Sequence, residues 1–233
     1  MKALLVTTPL LLVLVATLAA AQSPAPAPTG TGVHYVYLVR HGHYDRDTTA
    51  TDDRVANGLN ALGHEQARLT GERLAGLGVR YDRLVSSEFL RAKQTAEDMG
   101  RAMGMAAVRD SALNECYPSS ANARLMADVT PAEVAACDSA RTVQWARYFA
   151  PTPARDTYDV LVCHGNIIRW TLLRAVGADT RNWHLPDVGN GSVTVIAVRP
   201  DGSVRVVAYS DTGHLPVRVQ SWAGKGWGAG RGQ

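Results

Sequence analysis

Short apolar runs alternate with amphipathic segments along most of the chain. Residues 33–40, VHYVYLVR, are rich in β-branched and aromatic side chains, which is typical of a buried strand. Residues 60–77 follow a helical period, with Asn60 as a helix cap and Gly78 as a stop. The pattern therefore predicts a strand at 33–40 and a helix at 60–77.

The same alternation continues towards the carboxyl terminus, with an irregular stretch at 111–131. Further strands are predicted at 83–86, 105–108, 158–163, 192–199 and 203–210, and further helices at about 88–103, from 131 to 149, and at 166–176. The last two strands are joined by PDG, a turn that suits antiparallel pairing. Alternating strands and helices favour an α/β fold, a three-layer sandwich whose mixed, mostly parallel sheet is flanked by helices.

The two ends of the chain differ from this pattern. Residues 1–21 contain Lys2, an apolar run and three alanines, which is the layout of a cleavable signal peptide. Residues 22–32 are a Pro/Ala-rich linker, and 223–233 a flexible Gly-rich tail. We therefore expect a periplasmic or secreted protein with one domain at 33–222, and an uncleaved N-terminal membrane anchor is the alternative.

Charge and cysteine content narrow the function only slightly. The 24 Lys and Arg against 21 Asp and Glu give a net charge of +3, so no strong field indicates nucleic acid or an acidic membrane as a partner. Cys163 lies in an apolar strand and is predicted to be a buried thiol. Whether Cys116 pairs with Cys137 stays open, because the sequence does not give their distance.

Two of the predicted strands end alike. LVRHG at 38–42 and LVCHG at 161–165 each finish an apolar run with His and then Gly. Ligands of α/β sheets bind beyond the carboxyl ends of parallel strands, so His41 and His164 are expected to converge on one pocket. A glycine after each histidine would let a ligand approach the backbone.

Arg91, in SSEFLRAKQTAE, is predicted to lie in the first turn of a helix. Helix starts present unpaired N–H groups and a positive dipole end, and the guanidinium fork matches phosphate oxygens. An anion site is therefore expected near Arg91.

Five segments, taken in order, resemble the histidine phosphatase (phosphoglycerate mutase-like) superfamily: LVRHG, LNALGHEQA, SSEFLRAKQTA, LNEC and LVCHGN. The segment NGSVTVIAVRPDGSVRVVAYSDTGHLP resembles the end of the mitochondrial serine/threonine-protein phosphatases of the phosphoglycerate mutase family. The resemblance implies a phosphoglycerate mutase-like fold, no cofactor and a phosphatase that acts through a phosphohistidine on His41. It places Glu115 as proton donor and His164 as a second catalytic residue. The groups that it places around the phosphate are Arg40, Gly42, Arg91 and His164.

Each of these roles has a physical basis. A histidine with an unperturbed pKa near ~6.5 is largely neutral at pH 7 and offers a nitrogen lone pair. Arginines and a second histidine stabilise the charge of the transferring phosphoryl group without a metal. One carboxyl group can protonate the leaving group and then deprotonate water. Glu115 is the candidate, and Asp45 is the alternative.

Other functions remain in competition. A phosphoglycerate mutase-type phosphotransferase and a non-catalytic phosphate-binding module share the predicted fold. HGHYD has a His-x-His-x-Asp spacing that zinc can use, but metal chemistry gives no reason for RHG and SSEFLRA together.

His43 and Tyr44 follow RHG at positions where family members often have Glu or Gln first, so the pocket rim differs. The substrate class, small organic phosphate or phosphoprotein, stays open.

Overall fold

The structure, a computed structural model, describes residues 30–152 and 154–222. Its strands are β1 (His34–Arg40), β2 (Arg83–Ser86), β3 (Val108–Arg109), β4 (Thr157–Cys163), β5 (Val193–Val198) and β6 (Val204–Asp211). Its helices are α1 (Ala61–Gly76), α2 (Leu90–Met103), α3 (Pro131–Tyr148) and α4 (Gly165–Ala175), and 3₁₀ turns span Ser111–Leu113, Thr180–Asn182 and Val217–Val219. The strand predicted at 105–108 is shorter and begins later: only Val108 and Arg109 form a strand, which pairs with β2 at the edge of the sheet.

The six strands form one sheet in the order β3-β2-β4-β1-β5-β6. Pairing is parallel from β3 to β1 and antiparallel from β1 to β6, so the sheet is mixed, as predicted. In the register of β1 with β4, Arg40 lies opposite Cys163. The residues that follow, His41 and His164, therefore leave the sheet side by side.

Successive residues of the central strands point to opposite faces of the sheet, and each face has its own apolar core. Val36 and Leu38 of β1 pack with residues of α3 and α4. Tyr37 and Val39 of the same strand pack with residues of α1 and α2. The period of two along β1 thus builds a three-layer sandwich and confirms the predicted fold class.

A disulfide joins Cys116, in the loop after the first 3₁₀ turn, to Cys137 in α3. This settles the pairing that the sequence leaves open. Cys163 is a free, buried thiol, and burial raises its pKa to about 12. It is therefore a buried thiol, as predicted.

The predicted signal peptide at 1–21 and the tail at 223–233 lie outside the described residues. None of the helices within 30–152 and 154–222 is both long and apolar enough to cross a membrane.

Candidate active site

His41 is held by its backbone directly after β1. Its N–H donates to Cys163 O at 3.0 Å, and Asn190 Nδ2 donates to His41 O at 3.1 Å. The ring is 2 % exposed, and its Nδ1 lies 2.8 Å from Gly42 O. A carbonyl oxygen only accepts, so this contact assigns the proton to Nδ1 and the lone pair to Nε2. His41 thus has the form of a nucleophile.

Electrostatics keep His41 in that form. Burial and the positive charges of Arg40 and Arg91 lower the pKa of His41 well below its usual value, against an opposing hydrogen bond to Gly42. The imidazole is therefore neutral at neutral pH and available for attack.

His164 lies beside His41, with ring centroids 5.0 Å apart. Its side chain is fully buried, and Nε2 is 2.8 Å from Ser87 Oγ. Nδ1 is buried and has no hydrogen-bond partner among the described residues. Burial and the neighbouring His41 and Arg91 lower the pKa of His164 well below its usual value.

The two predicted arginines flank these rings. Arg40 donates from Nη1 to Val188 O, and Arg91 from Nη1 to Asp53 Oδ2 at 2.9 Å. Arg91 lies in the first turn of α2, as predicted, and its guanidinium covers the Tyr44 ring at 4.7 Å. The Nε atoms of both arginines are buried without a partner in the described ranges.

Glu115 follows the first 3₁₀ turn and is half-buried, with an inaccessible Oε1 that has no partner in the described part of the chain. Burial raises its pKa, against the opposing charges of Arg91, Arg169 and Arg40. A carboxyl group with a raised pKa is suited to donate a proton. Asp45, the alternative acid, is exposed and accepts a hydrogen bond from Asn60 Nδ2 at 3.1 Å.

Gly42 lies in close contact with α1. A Cβ on Gly42 would lie 2.4 Å from Gly63 O, so the missing side chain permits the close approach of α1. Its amide donates to Thr95 Oγ1 at 3.0 Å and is thus already engaged. Gly42 therefore has a packing role, and its contact with the phosphate stays a prediction.

A cavity of about 840 Å³ opens next to these residues. Tyr44, Phe89, Arg91 and Glu115 are part of its wall. Neither histidine lines the cavity itself, but His41 contacts the wall through the Tyr44 ring, with centroids 5.4 Å apart. A substrate in this cavity would therefore meet the candidate acid and one phosphate-binding arginine directly.

Several site residues were not predicted as such. Ser87 contacts His164 and Asp53 contacts Arg91, whereas Asn114 acts through Ser87. The charge of Arg169 acts on Glu115 and Arg40. Ser87 and Asn114 stand within the quoted motifs SSEFLRA and LNEC, so their position in those motifs was the available signal.

Within the part of the chain that the structure describes, no group of three or more His, Cys, Asp or Glu side chains is placed to hold a metal ion. The His-x-His-x-Asp spacing of HGHYD therefore does not assemble into a zinc site here.

The family model of the histidine phosphatase superfamily (branch 1) matches residues 36–130 and 126–212, which include every predicted site residue. The chain belongs to the histidine phosphatase superfamily. Curated members of similar sequence are the mitochondrial serine/threonine-protein phosphatases PGAM5 of Xenopus laevis, 34 % identical over 187 residues, and of Homo sapiens, 33 % identical. Each match covers 78 % of this chain, but only 66 % and 64 % of those relatives, so the chain spans about two thirds of their length.

Solved phosphatase structures share the fold. A putative alpha-ribazole-5'-P phosphatase from Escherichia coli superposes with a TM-score of 0.60 at 16 % identity, covering 76 % of this chain and 96 % of that chain. A mycobacterial glucosyl-3-phosphoglycerate phosphatase gives a TM-score of 0.54 at 21 % identity, covering 77 % and 100 %. At such low identities, these two likenesses establish the architecture alone.

The predicted periplasmic or secreted location is wrong, because the curated relatives are named as mitochondrial proteins. The prediction rested on residues 1–21, which lie outside the described residues.

Proposed function

We propose that this histidine phosphatase hydrolyses phosphomonoesters through a phosphohistidine on His41. One observation carries the proposal. Seven buried side-chain atoms lack a hydrogen-bond partner among the described residues, and four of them belong to Arg40, Arg91, Glu115 and His164. Such atoms are costly to leave unpaired. Two arginine donors, a histidine nitrogen and a carboxyl group beside the neutral His41 fit a phosphoryl ester.

In the first step, His41 Nε2 forms a bond to phosphorus while the bond to the ester oxygen breaks. The leaving oxygen takes a proton from Glu115. In the second step, water attacks the phosphohistidine, gives a proton back to Glu115 and releases phosphate from Nε2. Arg40, Arg91 and His164 stabilise the negative charge on the phosphoryl oxygens in both steps.

The substrates are proposed from the relatives. Curated relatives are named serine/threonine-protein phosphatases, which supports a phosphoprotein substrate, whereas the mycobacterial neighbour is named for a small sugar phosphate. The alternative, a phosphoglycerate mutase-type phosphotransferase, is supported by a Plasmodium falciparum phosphoglycerate mutase that shares the fold with a TM-score of 0.55. The phosphatase names of the more similar curated relatives favour hydrolysis.

The bounds of the domain, 33–222, stay a prediction.

The test is turnover of a generic phosphomonoester and of phosphopeptides by wild type and His41→Ala. Wild type is expected to release phosphate and to carry an acid-labile, base-stable phosphate on His41 after rapid quenching. His41→Ala is expected to lose both. The matched control is His64→Gln, since His64 is about half exposed and binds Asp98, outside the site. A wild type that binds phosphate analogues without turnover would establish a binding module, and transfer to a second phosphate acceptor instead of water would establish a mutase.

A further inference from the structure

The hydroxyl of Ser87 is saturated by three hydrogen bonds. Ser87 is fully buried between the end of β2 and the start of α2. Its Oγ donates to Asn114 Oδ1 at 2.9 Å and accepts from Phe89 N at 3.2 Å. The remaining contact is His164 Nε2 at 2.8 Å. A hydroxyl has one hydrogen and two lone pairs, so once its hydrogen is given to Asn114 it can only accept from His164.

The orientation of Asn114 fixes this direction. Oδ1 of Asn114 accepts from Glu88 N at 2.8 Å, and its Nδ2 donates to Glu88 Oε2 at 3.1 Å. A backbone N–H only donates and a carboxylate only accepts, so the amide cannot be turned over without losing both contacts. Asn114 Oδ1 therefore faces Ser87 as an acceptor.

The proton of neutral His164 consequently lies on Nε2, and the lone pair lies on the buried, unpartnered Nδ1. We propose that Ser87 and Asn114 act as positioning residues that hold His164 in this tautomer, so that a phosphoryl dianion binds together with one proton at Nδ1. The inference rests on the proposed function only in taking His164 as a phosphate-binding group.

The proton balance follows from the contact. Nδ1 with a lone pair repels an anionic oxygen, and one proton from solvent converts His164 to an imidazolium that donates from Nδ1 to the phosphoryl group and from Nε2 to Ser87. In the empty site, Arg40 and His41 after β1, Arg91 of α2 and Arg141 of α3 all disfavour that charge. The loop carboxyl of Glu115 lies among the same arginines. A bound dianion offsets the repulsion between these positive charges and a charged His164. Protonation of His164 is therefore coupled to binding.

The test is calorimetric titration of the full chain with tungstate, a tetrahedral oxyanion that stays a dianion at neutral and alkaline pH. Binding is measured at one mildly alkaline pH in buffers of different ionisation enthalpy, because the dependence of the observed heat on buffer gives the number of protons taken up. Wild type is expected to take up about one proton per tungstate. Ser87→Ala removes the acceptor for Nε2, which lets the proton move to Nδ1, and uptake is expected to fall to less than about half.

Ser86→Ala is the matched control, since Ser86 is 1 % exposed and its Oγ has no hydrogen-bond partner in the described ranges. It is expected to keep the wild-type uptake. Asn114→Ala frees the Ser87 hydrogen to turn towards Nε2, so it is expected to match Ser87→Ala and decides the outcome if Ser87→Ala does not fold. The proposal is overturned if wild type does not bind tungstate or takes up no proton. It is also overturned if Ser87→Ala and Asn114→Ala take up as many protons as Ser86→Ala. Tungstate binding needs no turnover, so a chain with coupled uptake but no phosphatase activity refutes the proposed function alone.

Discussion

The role of Glu115 gives the sharpest test of the proposed chemistry. Glu115→Gln keeps the size of the side chain but removes its ability to donate or accept a proton. Oε1 of Glu115 has no partner among the described residues, so the substitution breaks no hydrogen bond at that atom there. Asp45 offers no replacement, because it is exposed and bound to Asn60. The loss should therefore be catalytic.

The expected loss of kcat/KM in Glu115→Gln follows from what a general acid contributes to the rate. General acid–base catalysis contributes about 10²- to 10⁴-fold, or roughly 3 to 5 kcal/mol of transition-state stabilisation. Glu115 lies near Arg40, Arg91 and Arg169. An alkyl phosphate has a poor leaving group that needs a proton, so its loss of kcat/KM is expected in the upper part of this range. A nitrophenyl phosphate has a stable leaving group and should lose least. The assay is kcat/KM for both esters.

The pH profile supplies a second readout. His41 must be neutral, and its lowered pKa keeps it so down to acidic pH. Glu115 must be protonated, and its raised pKa places the decline of kcat/KM on the alkaline side of an ordinary glutamate. Activity should therefore rise through the pKa of His41 and fall through that of Glu115. Glu115→Gln should make the alkaline decline shallower, because only the proton uptake at His164 that accompanies binding then remains.

Glu133→Gln is the matched control, since Glu133 lines the same cavity and glutamine preserves the capping box that it forms with Thr130. It should change kcat/KM by less than about threefold, as surface substitutions do. Equal losses of Glu115→Gln with both esters, or an alkaline decline as steep as that of wild type, would refute Glu115 as the proton donor.

Three further predictions concern the surroundings of the site. Asp53→Asn should strengthen phosphate or tungstate binding up to about fivefold in calorimetry, because the partly exposed carboxylate no longer competes for Arg91; weaker binding would contradict this. Asp159→Ala should lower the free energy of unfolding in urea by about 2 to 4 kcal/mol, since the buried carboxylate accepts bonds from a histidine and an arginine; a loss below about 1 kcal/mol would contradict it. Replacing Cys116 and Cys137 by alanine should cost about 3 kcal/mol for a separation of 21 residues, and reductant should then have no further effect.

The meeting of the two histidines is the part of the site that the sequence predicts best. The apolar runs that become β1 and β4 bury both faces, and each ends in His-Gly at the carboxyl end of a parallel strand. Register then follows from the common end of the two apolar runs, so His41 and His164 need no further information to converge. The location, by contrast, rested on the pattern of residues 1–21 alone and disagrees with the curated relatives, which are named as mitochondrial proteins.

Contacts between loops could not be predicted in this way. Asn114 reaches Ser87 across a separation of 27 residues, after β3 has returned the chain to the sheet edge. No periodicity links these two polar side chains, since neither lies in a strand or helix. The role of Gly42 was likewise hidden, because the backbone that its Cβ would meet belongs to Gly63, in a helix that begins 19 residues later.

These unpredicted contacts also explain why buried polar atoms of Arg91 and His164 have no hydrogen-bond partner among the described residues. Each buried polar atom without a partner costs about 1–3 kcal/mol, which folding alone would favour removing. Arg91 and His164 keep one atom unpaired because Arg91 Nη1 is held by Asp53 and His164 Nε2 by Ser87, which restrains both side chains. The two apolar cores on either face of the sheet supply the stability that offsets this cost. Under the proposed function, a phosphoryl group pairs with Arg91 Nε and, once a proton is taken up, with His164 Nδ1. Asp53 and Ser87 then belong to the site because they leave these two atoms unpaired in the protein.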